Sequence, residues 1–140
     1  MNIDEEKLVK IFKETDGIVA TYFFGSQVKG KTDHFSDFDF AVLFENGWRK
    51  DDRWNITGDL LCKAFSVVGQ DKADVVDLSE APIWFQQVVV KTGRVIYETD
   101  REERMKYERE LMHKCFEAGF PEYVEDGKMK KQDVQINFDT

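Results

Sequence analysis

At 140 residues the chain has room for one domain with its own core and little space for a second. Apolar residues make up 41% of it, including twelve Phe, so a packed interior needs neither disulfides nor a structural metal. Cys62 and Cys115 fit no C-x-x-C pattern and read as buried free thiols of a reducing cytoplasm. The formal net charge of −8 argues against a broad surface for phosphate backbones, so a nucleic-acid partner is not expected. The acidic first six residues do not resemble a secretory signal, and no apolar run approaches the roughly 20 residues of a membrane span, which predicts a soluble cytoplasmic protein.

In chain order, the spacing of Leu8, Val9, Ile11 and Phe12 predicts a helix over residues 4–15, capped by Asp4, stapled by Ile3 and ended by Gly17. The β-branched and aromatic run 18–24 predicts a strand buried on both faces. Residues 25–36 are polar and punctuated by glycine, as in a loop. Strand character returns over 37–44, with Asp37, Asp39, Ala41 and Leu43 on one side and Phe38, Phe40, Val42 and Phe44 on the other. A loop carrying Trp48 and Trp54 is expected over 45–55, followed by a helix that turns Ile56, Leu60, Leu61, Ala64, Phe65 and Val68 inward. Residues 73–78 form a third predicted strand. Ser79 and Pro82 open a further helix ending at Gly93, residues 94–98 a fourth strand, and Asp100 with Glu103 a capping-box start for a charged helix reaching about Ala118. Alternating helical and strand periods predict an α/β or α+β domain with a mixed sheet of four to five strands flanked by helices. Its expected span is 1–120, with 121–140 a tail. Within that tail, Val134, Ile136 and Phe138 alternate as an added edge strand would, while a mobile or partner-binding segment fits equally well.

The chemistry concentrates in residues 23–40. Asp37 and Asp39, two apart on a strand, share a face about 6.5–7 Å apart along the backbone. Their oxygens suit divalent ions, and two-metal phosphoryl chemistry uses ions roughly 3.5–4 Å apart. The bland alternative is an edge strand whose acidic face simply meets solvent. Upstream, Gly25 lets the backbone approach a ligand closely and Ser26 can donate to a phosphate, with Lys29 or Lys31 adding charge, although a strand-ending turn has the same look. The joint spacing is more specific: Ser26 and Asp37 are separated by ten residues, and Ser36 stands directly before the first aspartate.

That pattern resembles the nucleotidyltransferase superfamily typified by DNA polymerase beta, and within it the minimal nucleotidyltransferases (MNT). The likeness is carried by Phe24-Gly25-Ser26, Gly30, Ser36-Asp37-Phe38-Asp39, the run from Phe40 to Leu43, Ala73-Asp74-Val75-Val76-Asp77-Leu78 and Gly93-Arg94-Val95-Ile96-Tyr97. The resemblance implies the polymerase-beta-like fold, ATP as substrate, two Mg2+ ions on Asp37, Asp39 and a third carboxylate, and phosphate binding by Gly25, Ser26 and Lys29. Asp74 is the expected third carboxylate. Asp77 is its competitor, better explained by the helix start at Ser79. The resemblance also implies a partner, the HEPN protein of HEPN/MNT toxin–antitoxin pairs, modified with AMP on a tyrosine. Self-assembly, AMP transfer to a small molecule such as an aminoglycoside, and a purely occluding antitoxin stand as alternatives. His34, His113 and the Lys128, Lys130 and Lys131 cluster are expected to be surface features.

Overall fold

A computed structural model describes residues 5–24 and 38–119, and the fold is built around β1, Ile18–Phe23, one of the two inner strands of a four-stranded sheet. Before it comes α1, Glu5–Lys13, and after it β2, Phe38–Phe44. Next are α2, Lys50–Val68; β3, Ala73–Asp77; a 3-10 turn, Leu78–Glu80; α3, Ile83–Thr92; β4, Arg94–Glu98; and α4, Arg101–Glu117. The sheet order is β3-β2-β1-β4. β1 runs antiparallel to both β2 and β4, and β2 runs parallel to β3. The mixed sheet with helices on its faces is the expected α+β, polymerase-beta-like architecture.

The period-2 pattern of β2 sorts its side chains onto two cores. Phe40, Val42 and Phe44 join Leu8, Phe12, Leu60 and Ala64 on the face covered by α1 and α2. Ala41 and Leu43 join Tyr22, Phe24 and Val89 on the face covered by α3, with Tyr107 of α4 packed against them. Burial of each large side chain contributes about 1.5–3 kcal/mol, so both faces of the inner strands hold the fold together. This explains why β1 reads as a continuous apolar run rather than an alternating one.

Two local expectations fail. Residues 50–55 are helical rather than loop: α2 begins at Lys50 with Asp51 and Asp52 in its first turn, where carboxylates favour the positive end of the helix dipole. Cys62 is exposed on α2, and only Cys115 is buried. Two glycines are demanded by close approach. Gly17 has φ +90°, and an added Cβ would meet the Trp48 ring at 2.7 Å. A Cβ on Gly93 would lie 2.6 Å from the Val89 carbonyl oxygen. No helix among the described residues is long and apolar enough to cross a membrane.

Candidate active site

At one end of the sheet three residues form a row across three strands. The Phe24 amide donates to the Asp39 carbonyl at 3.0 Å, and Asp39 pairs in register with Asp74 on the parallel neighbour. Adjacent strands lie about 4.8 Å apart, so the two carboxylates start from neighbouring Cα positions. Ala73 and Val75 belong to the α1/α2 core, which leaves Asp74 on the opposite face, the one that Asp39 shares with Ala41 and Leu43. Asp39 is only 2% exposed, whereas Asp74 is open to solvent and accepts a hydrogen bond from the Val75 amide at 2.9 Å.

Connectivity keeps the space above Asp74 open. α3 follows β3, at one edge of the sheet, and leads into β4, at the other. It ends at Gly93, packed against Phe23 and Phe24, so it lies diagonally over the face. Phe85 of α3 seats its ring edge-on to Phe24 at 5.4 Å, which braces the strand end from which Gly25 departs in the chain.

Asp77 does something different three residues along β3. Its carboxylate accepts from Arg53 Nε at 2.7 Å, from the Ser79 amide at 3.1 Å and from the Ser79 hydroxyl at 2.9 Å. Arg53 also donates to Glu80 at 2.9 Å and to the Trp48 carbonyl at 2.6 Å, and the hydrogen bond to Asp77 is the largest cause that raises its pKa. Asp77 therefore caps the 3-10 turn and ties it to α2. Arg53 does not stand out in the sequence, because the stretch around it lacks an apolar helical period. The available signal was its place in a helical first turn beside Asp51 and Asp52.

A second polar network lies on the α3/α4 face. Tyr22 donates to Glu108 at 2.7 Å, and Arg104 bonds Glu108 at 2.8 Å and Glu98 at 2.7 Å. Burial, reinforced by the Glu108 hydrogen bond, pushes the Tyr22 phenol far above its usual range. The network locks α4 onto β1 and β4, and it explains why so charged a helix packs.

Gly25, Ser26, Lys29 and Asp37 lie outside the described residues, as do His34, the Asp4 cap and the tail 121–140. Among the described residues no group of three or more His, Cys, Asp or Glu converges to hold a metal. The pair that is described supplies only hard oxygen donors, which fits magnesium. Trp48 packs on Gly17, while Trp54 is 76% exposed and borders a groove of about 530 Å³ along β3. His113 is a surface residue, 3.2 Å from Glu117.

A mixed sheet thus sets two aspartates in register across two parallel strands, beside the strand that leads into a glycine. The family model "Polymerase beta, Nucleotidyltransferase" matches residues 6–102, and the chain belongs to that family. Nucleotidyl transfer is the reaction class that this membership carries. Among curated proteins no relative matches the chain. Solved structures do. One, a toxin–antitoxin with AMP-PNP, is 26% identical with a TM-score of 0.56, covering 84% of this chain and 94% of that one. Another, a tri-AMPylated Shewanella oneidensis HEPN toxin in complex with MNT antitoxin, is 25% identical with a TM-score of 0.54, covering 84% and 91%. A third, a mutant of the MntA toxin–antitoxin pair, is 27% identical with a TM-score of 0.56, covering 84% and 94%.

Proposed function

We propose that this chain transfers AMP from ATP to a tyrosine hydroxyl of a HEPN-type partner protein, acting as the antitoxin of a toxin–antitoxin pair. The reading is carried by the in-register pairing of Asp39 with Asp74 at the strand end that leads into Gly25-Ser26. The AMPylated toxin in a similar complex supports the choice of acceptor.

Gly25 and Ser26 would hold the triphosphate through backbone amides and a hydroxyl, and Lys29 would add positive charge. Mg2+ ions held by Asp37, Asp39 and Asp74 would supply charge neutralisation on the triphosphate and on the departing pyrophosphate. The buried Asp39 gives a fixed anchor, since a side chain packed on all sides loses little further freedom on binding. The exposed Asp74 is accessible to an incoming hydroxyl and accepts its proton. The tyrosine oxygen attacks the α-phosphorus, an O–P bond forms, and the bond to the β-phosphate oxygen breaks. Pyrophosphate leaves with that electron pair.

The test is incubation with α-labelled ATP and Mg2+, with and without the purified HEPN-type protein of the same host. Label on a tyrosine of that protein, with pyrophosphate release, is the expected result. Label on an added aminoglycoside alone would replace the acceptor. Tight binding with no transfer at all would make the chain an occluding antitoxin.

A further inference from the structure

α4 has a second side that the fold does not use. Arg104, Tyr107, Glu108, Leu111 and Cys115 turn towards the sheet or α3, as the network above requires. Met105, Arg109, Met112 and Phe116 follow at i, i+4, i+7 and i+11, which places them along one other stripe of the helix. Met105 is 43% exposed and Phe116 81%, two of the three large hydrophobics that stand exposed among the described residues. Such a stripe costs solubility unless something covers it.

Beside the stripe runs a groove of about 530 Å³, into which α3 contributes Val90 and Lys91. The carboxylate lining it, Glu108, is already committed to Tyr22 and Arg104. Among the described residues neither Lys91 nor Arg109 has a carboxylate within ion-pair distance. The groove therefore offers uncommitted positive charge on a chain whose net charge is −8. We infer that this face of α3 and α4 is a docking surface for an amphipathic helix of a partner protein, with apolar side chains on Met105, Met112 and Phe116 and acidic residues opposite Lys91 and Arg109. A second copy fits less well, because a two-fold contact sets the same patch against itself and brings these cations together. The inference rests on the reading that the acceptor is a protein, and it names where that protein is held.

The experiment titrates the full chain with the purified HEPN-type protein of its host and follows transfer of label in parallel. Phe116→Asp and Met112→Glu should each weaken binding about 30-fold or more, as expected for the centre of an interface. Arg109→Glu should slow association and flatten its salt dependence, while Trp54→Ser on the far groove leaves affinity unchanged. The substituted side chains are at least partly exposed, and circular dichroism checks that each variant folds. Wild-type affinity in all three α4 variants, with label still reaching the partner, overturns the surface and leaves the transferase reading standing. Binding that the α4 variants disrupt, with no label transferred by wild type, supports the surface and removes the transferase reading. A wild-type chain that neither binds nor labels the partner overturns both. Two results give the face another occupant and overturn the proposal: a dimer that Phe116→Asp dissociates, or hydrogen-exchange protection over residues 105–116 that is lost when the chain stops at Gly119.

Discussion

The two ends of β3 carry the same residue type in opposite employment. Near the end of the strand, Asp77 meets Arg53, caps a 3-10 turn and belongs to a network that also takes in Glu80 and Lys50. At the start, Asp74 lies open in register with the buried Asp39, and no Lys or Arg among the described residues pairs with it. A carboxylate matched by a protein cation secures architecture. Two carboxylates brought to adjacent strands raise the cost of folding and suit a cation from outside the chain.

The contrast is broken most forcefully by removing charge from the open end. Asp39→Asn and Asp74→Asn should each lower nucleotidyl transfer by about 10²–10⁴-fold while leaving the melting temperature equal or higher, since like charges are relieved. Label transfer and a thermal melt decide this, and an active Asp39→Asn enzyme would sink the assignment. Next in size is the response to magnesium. Saturation at about 100 times Kd should stabilise the wild type by roughly 2.7 kcal/mol, and Asp39→Asn should lose most of that gain when melts are compared in chelator and in Mg2+.

At the closed end the effect should fall on stability instead. Arg53→Ala leaves Asp77 and Glu80 without their shared partner and should cost about 2 kcal/mol in urea unfolding, with transfer per folded molecule unchanged. The smallest effect concerns pH at the α4 clamp. The hydrogen bond from Arg104, ahead of that from Arg101, holds Glu98 below its ordinary pKa. Its stabilisation is therefore present above the unfolded value of about 4.3 and is lost as pH falls through the lower folded value. Acid titration of Arg104→Gln should show a shallower loss over that window than wild type. Equal slopes would assign the acid sensitivity to other carboxylates.

Much of this is legible in local sequence pattern. The run of β1, the alternation of β2 and the Asp100–Glu103 cap of α4 are local patterns, and each settles where the sequence placed it. Asp39 shares its face with Ala41 and Leu43 because side chains alternate along any strand. The choice of Asp74 over Asp77 comes from the resemblance and from the helix start at Ser79. In the fold Asp74 lies in register with Asp39, and Asp77 is held by Arg53. The start of α2 is hidden in the sequence because Trp48, Trp54 and a polar stretch lack a clear apolar period, while the dipole-favoured Asp51 and Asp52 carry the cue.

Other features were beyond reach of local pattern. Arg53 and Asp77 are 24 residues apart, and Tyr22 and Glu108 are 86 apart. No periodicity links such positions. The order of the strands, the register that sets Asp39 beside Asp74, and the unused side of α4 likewise depend on how elements meet in space. Strand and helix periods follow from backbone geometry, which each short segment carries within itself. Which charge finds which partner follows from packing, because a buried carboxylate must be satisfied by whatever the assembled fold brings within reach.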